Sequence, residues 1–358
     1  MVPSLKLRSS YGESGGLTAI GPFDRYTTYT PVSLGGKPGV TTGTQLGAAG
    51  IKPERQHGFE FGVDLGLLDE RIGIEFTYYT QHTTDLLLTR SVGPSTGYLN
   101  RIGNVGTLDN NGFELGVRAV PLAFKDFRWT TIASYATNRN EVNGIEGGVF
   151  IIPESFGLVA ALNGQPLGVY YGAAFARDAS GNIVYNSAGI PQKAVDKKII
   201  GDPNPKFVAS WINEFEVYQN ISARIQVDGV YGGKVFNFSG RVEAFPSYGT
   251  SKVYQRELNG ELPKGYSAAV YSIFENWIED GSYMKLREVS VSYVLYPNLL
   301  GIRSARLTLA GRNLISIDNY SGYDPETNVA GQRTAVRGFD FAEVPIPRSF
   351  AFGITVNF

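Results

Sequence analysis

Segments of this chain alternate apolar and polar residues with a period of two, and every second connection between them is short. The clearest pair begins with Phe59, Phe61, Val63, Leu65 and Leu67 on one parity and Gly58, Glu60, Gly62, Asp64 and Gly66 on the other. After Asp69-Glu70, Ile72, Ile74, Phe76 and Tyr78 answer it, interleaved with Gly73, Glu75, Thr77, Tyr79 and Gln81. A sustained period of two is an extended strand with one apolar face, and two such runs across a tight turn predict a hairpin.

The pattern recurs along the chain. Phe113, Leu115, Val117 and Ala119 face a strand carrying Phe127, Trp129, Ala133 and Tyr135, across a turn at residues 122–126. Phe207, Ala209, Trp211, Phe215 and Val217 pair with Ile221, Ile225, Val227 and Tyr231 across 218–220. Val289, Val291, Tyr293 and Leu295 pair with Leu307 and Leu309 across Pro297 to Gly301. With a weak alternation over 2–12 and the last strand from Arg348 to Phe358, the count is roughly ten. Connections near 69, 124, 219 and 299 are short, whereas 13–54, 86–103, 139–205, 237–281 and 316–347 are long, and 13–53 reads as a loop.

That asymmetry is the signature of an antiparallel up-and-down transmembrane β-barrel, with short periplasmic turns and long extracellular loops. The charges fit it. Glu60, Asp64, Glu75, Glu114, Arg118, Arg128, Arg224 and Asp228 all fall on the parity opposite the apolar one. A Lys or Arg at mid-bilayer on the lipid face costs about 2–4 kcal/mol, so these side chains are expected to line a wet interior. A soluble sheet with one solvated face shares the period of two but has no reason to keep alternate connections short. No stretch reaches the ~18 apolar residues of a membrane helix.

Composition excludes several functions. The chain has no cysteine, so disulfides, thiolate metal clusters and thiol catalysis are absent. A net charge of -1 offers no basic excess for nucleic acid. Met1-Val2-Pro3 opens without the basic and apolar regions of an export signal, although the chain otherwise reads as exported; a partial sequence is the expectation.

Few residues invite chemistry. His57 and His82 sit at nearly equal distances from the turn at Asp69 with apolar-face parity, which predicts cross-strand neighbours at the outer interface. No carboxylate lies close to them in sequence, so no metal site or catalytic dyad is expected. Asp324, Glu326 and Asp340 lie in the last long loop, but only Asp324 and Glu326 have calcium-loop spacing. No Ser/His/Asp set occurs, so neither enzyme activity nor a cofactor is expected. Candidate substrate contacts in lumen or loops are Arg118, Arg128, Tyr171, Tyr320 and Tyr323, generic hydrogen-bonding and stacking groups.

Specific motifs add to this. Gly97-Tyr98, Asn104-Val105-Gly106 and Asn111-Gly112-Phe113-Glu114-Leu115 resemble a segment of SusC/RagA-like TonB-dependent transporters, with one extra residue after Gly106. Gly164-Gln165-Pro166-Leu167-Gly168, Gly201-Asp202-Pro203-Asn204-Pro205-Lys206 and the run Gly281 to Arg287 resemble the same family, in its order. So do Gly311-Arg312-Asn313-Leu314, Gly322-Tyr323-Asp324-Pro325-Glu326 and Pro347-Arg348-Ser349-Phe350. The resemblance implies that residues 1–358 are the carboxyl-terminal portion of a 22-stranded barrel, without its plug, TonB box and signal peptide. It implies outer-membrane localisation, import of oligosaccharides or peptides driven through TonB, and a SusD-like surface lipoprotein as partner. Phe350, Phe352 and Phe358 resemble the recognition strand read by the barrel-assembly machinery, which places Phe358 at the periplasmic side. The rival readings are a self-contained ten-strand barrel, porin or protease-like, and a surface β-sandwich adhesin.

Overall fold

Ten strands form one antiparallel sheet whose spatial order is the order of the sequence. They are β1 (Ser4–Gly16), β2 (Glu54–Leu67), β3 (Ile72–Thr84), β4 (Thr107–Phe124), β5 (Phe127–Asn143), β6 (Phe207–Val217), β7 (Ile221–Tyr231), β8 (Tyr283–Leu295), β9 (Ser304–Asp318) and β10 (Ser349–Asn357). The computed structural model describes residues 4–17, 20–152, 155–297, 301–331 and 336–358. The shortest strand has 9 residues, the least that crosses a bilayer at the usual tilt. Among the described residues β1 pairs only with β2 and β10 only with β9, so the sheet is open at both ends.

The hairpin boundaries follow the alternation closely; β5 and β9 run on to Asn143 and Asp318, into the loops expected from 139 and 316, and three further differences have local causes. β1 runs to Gly16, past the weak alternation, because its register with β2 continues to Gly16 opposite Glu54. β4 continues to Phe124, since a bulge between Ala119 and Leu122 interrupts the parity without ending the strand; only residues 125–126 turn. β8 begins at Tyr283, well before Val289, and a second bulge at Leu286/Glu288 is the cause. The turn expected at Pro297 to Gly301 lies partly outside the described residues.

The short connections turn tightly. Leu68, Asp69 and Glu70 all take left-handed backbone (φ 54°, 55° and 61°), as do Tyr218 and Gln219 (φ 50° and 62°). This matches the right-handed twist of hairpin strands. On the apolar face near these turns, Trp129 stacks on Phe215 at 6.1 Å, and its indole N–H donates to Asn213 Oδ1 at 3.0 Å. An apolar surface with its polar handles satisfied locally suits a membrane interface.

The long connections are not coil. Residues 17–53 hold a hairpin, Tyr29–Leu34 with Lys37–Thr42, and Leu87–Ser91 pairs with Asn100–Asn104. Residues 144–206 contain a four-stranded sheet (Val149–Ile151, Val159–Leu162, Val169–Gly172, Lys198–Gly201). Lys234–Asn237 pairs with Ile278–Asp280 and, parallel, with Phe339–Asp340, which joins two loops far apart in sequence. Between them lie three short helices, α1 (Phe238–Glu243), α2 (Lys252–Leu258) and α3 (Tyr266–Ser272).

The hydrophobic core sits in these loops. Leu158, Val159, Tyr170, Phe236, Ile273 and Phe339 are fully buried, while β10 is exposed throughout. The physical reason is that each wall strand offers one face to lipid and the other to polar surroundings. Among the described residues, the clusters of buried apolar side chains form where the loops fold on one another at one end of the sheet.

Candidate functional site

The polar face of the wall carries paired charges that the sequence scatters over 300 residues. Arg8 on β1 donates Nε and Nη2 to Asp64 on β2 (2.7–3.0 Å) and reaches Thr77 on β3 at 3.3 Å. Arg224 on β7 pairs with Glu214 on β6 at 3.1 Å, and Asp228 accepts from Ser210 and Gln226. Further along, Arg312 on β9 bonds Glu288 on β8 at 2.9 Å. All the charges assigned to this parity from sequence lie on the one face in the register of the strands.

The β8 bulge has a structural use. Below it Glu288, Ser290 and Ser292 share the polar face with Arg224 and Ser222 of β7. Above it the parity switches, so that Lys285 stands opposite Asp228 and Arg287 bonds Asp228 at 2.8 Å. A bulge re-aims side chains in this way. Two cations are thereby directed at the last long loop. Lys285, only 4% exposed, donates to Asp324 at 2.7 Å and Glu326 at 2.8 Å, and Arg287 makes a fork to both oxygens of Glu326 at 3.1 Å. The pair whose spacing resembled a calcium loop is therefore held by Lys285 and Arg287. Asp324 also accepts from the Glu326 N–H at 2.9 Å and the Ile346 N–H at 3.3 Å, which folds the loop around it.

Two tyrosines brace the loops. The Tyr320 hydroxyl donates to Asp340 at 2.6 Å; burial, then this bond and the carboxylate's charge, push its phenol far above the ordinary range. The Tyr170 hydroxyl lies 2.8 Å from the carbonyls of Arg337 and Gly338, and complete burial raises it likewise. Gly338 has φ 67°, and a Cβ there would collide with that hydroxyl and the Lys234 carbonyl, so only glycine lets the two loops approach. Gly112 answers a similar need on the wall: a side chain would strike the Tyr79 ring, whose hydroxyl accepts from Asn138 at 2.9 Å.

Two cavities open beside these groups. One of about 600 Å³ lies against the polar face, bordered by Glu75, Glu114, Ser210, Asp228 and Arg287. Another of about 420 Å³ lies between the loops, bordered by Lys234, Glu326, Asn328 and Arg337.

The candidates from sequence are dispersed. Arg118 and Arg128 are exposed near the short-turn end of the wall, Arg118 opposite Gly73 and Arg128 opposite Glu216. Tyr171 is half-buried in the four-stranded loop sheet. Tyr320 is buried in its own loop, whereas Tyr323 is 85% exposed. Phe350, Phe352 and Phe358 are exposed on the apolar parity of β10 and beyond it, Phe352 opposite Leu309. Sequence reasoning left out Arg287, Lys285 and Arg337. The signal for the first two was the broken alternation Met284-Lys285-Leu286-Arg287-Glu288, which marks the bulge.

His57 and His82 are cross-strand partners, their rings 5.0 Å apart. The carboxylate that sequence proximity did not supply comes from β4: Asp109 is opposite His82 and bonds its Nδ1, while Glu13 is opposite His57. Among the described residues no group of three or more His, Asp or Glu is arranged to hold a metal ion.

Comparison with known proteins agrees with this architecture. Residues 1–314 match the family described as TonB dependent receptor-like, beta-barrel. TonB-dependent receptor P3 of Formosa agariphila is 26% identical over all of this chain, which covers 40% of that protein. The TonB-dependent receptor SusC of Bacteroides thetaiotaomicron is 31% identical over 27% of the chain and 10% of its own length. Among solved structures, the RagAB peptide importer in its closed-closed state superposes with a TM-score of 0.79 at 20% identity, over 98% of this chain and 40% of that one. The RagAB peptide transporter gives 0.76 at 21%, with the same coverage. These relatives are receptors and transporters, not enzymes, and the chain spans about two-fifths of the length of receptor P3 and of the RagAB chains. An open antiparallel wall, apolar on one face, ion-paired on the other and matched by the family over most of its length, belongs to the TonB dependent receptor-like β-barrel family of the outer membrane.

Proposed function

We propose that this chain forms the carboxyl-terminal ten strands of a 22-stranded active importer, with residues 1–358 continuing from a plug, a TonB box and the remaining strands. The short turns face the periplasm and the long loops the exterior. Energy arrives through TonB, and a SusD-like lipoprotein closes over the loops. The cargo is an oligosaccharide or a peptide, too large for a porin.

The observation that carries this reading is the latch of Lys285 and Arg287 on Asp324 and Glu326. It folds a long loop against a polar wall, which gives a wide lumen a shaped, charged lining at its mouth. The family relationship supports it, as does the fold shared with a structure described as a peptide importer. A self-contained ten-strand barrel is disfavoured by the lack of pairing between β1 and β10. Arg118, Arg128, Tyr171 and Tyr323 remain the proposed contacts along the cargo's path, with Tyr320 shaping the loop. Phe350, Phe352 and Phe358 are the proposed assembly signal.

The test is genetic and biochemical. Deletion of the gene should abolish growth on one class of polymer, oligosaccharide or peptide, as sole nutrient, and the tagged protein should co-purify a surface lipoprotein. Unimpaired growth on every such nutrient, with no lipoprotein recovered, rejects the reading.

A further inference from the structure

The wall has a notch between β5 and β6. β5 runs on to Asn143, but its pairing with β6 stops at Ala136 opposite Val208. Loop segments fill the gap. The Val142 N–H donates to the Gln165 carbonyl at 2.9 Å, the Leu167 N–H to Asn140 Oδ1 at 2.6 Å, and Asn204 Nδ2 to the Leu167 carbonyl at 3.1 Å. The filling leaves a cavity of about 1000 Å³.

This cavity opens on the apolar face. Its floor is made by Tyr78, Phe113, Tyr135 and Phe207. Three of those rings belong to a continuous ladder, Phe76–Phe113–Tyr135–Phe207–Tyr231, with centroids 6.0, 5.7, 5.0 and 5.2 Å apart across five strands. Beside the rings stand the amides of Asn111 and Asn204 and the cations Arg139 and Lys206. Lys206 Nζ lies 5.9 Å over the Tyr231 ring, and neither cation makes an ion pair among the described residues. The carboxylates present are engaged locally: Glu141 accepts from Asn143 at 2.9 Å, and Asp202 from the Asn204 backbone and side chain at 2.9 and 2.8 Å.

We propose that this notch seats the headgroup of an outer-leaflet glycolipid, a phosphorylated sugar whose acyl chains run down the aromatic ladder. Each part of the cavity has a matching part in that ligand. Ring faces stack on sugar, the Asn111 amide pairs with hydroxyls, and the two cations without an ion pair meet phosphate. A free sugar gains nothing from a ladder continuous with the lipid-facing surface, and a simple phospholipid has no sugar ring to stack on the aromatic floor. The inference rests on the reading that the long loops face outward, because only then does the notch lie in the outer leaflet.

The test uses native mass spectrometry on the full-length protein purified from outer membranes. The probes are a diphosphorylated diglucosamine glycolipid, phosphatidylglycerol, and inorganic phosphate as competitor. The variant is R139Q/K206Q, verified as folded by its heat-modifiable mobility. Glycolipid adducts should fall about tenfold in the double variant, phosphatidylglycerol adducts should not change, and inorganic phosphate should not displace the glycolipid. Equal glycolipid retention by both proteins overturns the proposal, as does phosphatidylglycerol binding with the same dependence or displacement by phosphate alone. Orientation is checked separately with Tyr323→Cys and an impermeant maleimide on intact cells. Labelling only after permeabilisation overturns the orientation and the site together; external labelling without glycolipid retention overturns the site alone.

Discussion

At the scale of single residues, the loop tyrosines divide into two kinds that sequence could not separate. Tyr320 and Tyr323 stand three positions apart in a Gly- and Pro-bearing loop, and both read as stacking groups. Tyr320 is 8% exposed and bonded to Asp340, whereas Tyr323 is 85% exposed, because the partner that buries Tyr320 arrives from 20 residues further on. Tyr320→Phe should therefore loosen the loop by about 1–3 kcal/mol, since among the described residues Asp340 keeps only the Ser239 hydroxyl as a side-chain donor. Tyr323→Ala should leave stability unchanged and weaken cargo or lid binding. Hydrogen exchange over residues 319–331 in both variants checks the division; equal protection in the two proteins would refute it. Lys285 makes a stronger case. With Asp324 at 8% side-chain exposure, Lys285→Ala strands a buried carboxylate and should cost about 3–5 kcal/mol locally. The double variant K285M/D324L should recover part of that loss, and if it proves worse than K285A the pairing is not what holds the loop.

At the scale of elements, the strands were legible because a wall between lipid and water must alternate side by side, and alternation is visible in sequence. The bulges were not, since an inserted residue looks like the end of the pattern: Leu286 to Glu288 hid the upper third of β8. The sheets and helices within the loops were also invisible, because their apolar sides pack on loops far away in sequence. α2 and α3 show this well. Glu257 at the end of α2 accepts from the N–H groups of Gly265 and Ser267 and from the Ser267 hydroxyl, at 2.6–2.8 Å, and so caps α3. Burial works against ionisation of Glu257, but these bonds outweigh it and lower its pKa below the usual carboxylate value. A depressed folded pKa contributes stability that is present above the unfolded value and lost as pH falls through the folded one. Protection of the Tyr266–Ser272 amides should thus hold near neutrality and decline as pH drops below about 4. In Glu257→Gln that local pH dependence should disappear, and its persistence would assign the effect to another group.

At the scale of the molecule, the two edges of the wall are its least satisfied parts. Every interior strand of the wall finds neighbours on both sides, but β1 and β10 each present a row of unpaired N–H and C=O groups. In water such an edge invites pairing with another chain; in hydrocarbon each unsatisfied group costs several kcal/mol, so an edge along a strand of nine residues or more is prohibitive. The loop core does not offset this, because Leu158, Tyr170, Phe236 and Phe339 pack among loop residues and, among the described residues, no residue of β1 or β10 belongs to that buried cluster. Residues 1–358 expressed alone and refolded into vesicles should therefore give no monomer whose electrophoretic mobility shifts on boiling. They should instead aggregate or pair edge to edge, and adding the strands proposed to precede them should restore a heat-modifiable band. A monomeric, membrane-inserted product from these residues alone would mean that β1 and β10 find each other in the bilayer. The wall would then be a small closed barrel with a narrow lumen, and the latch of Lys285 and Arg287 on Asp324 and Glu326 would be closing a channel too tight for an oligosaccharide or a peptide.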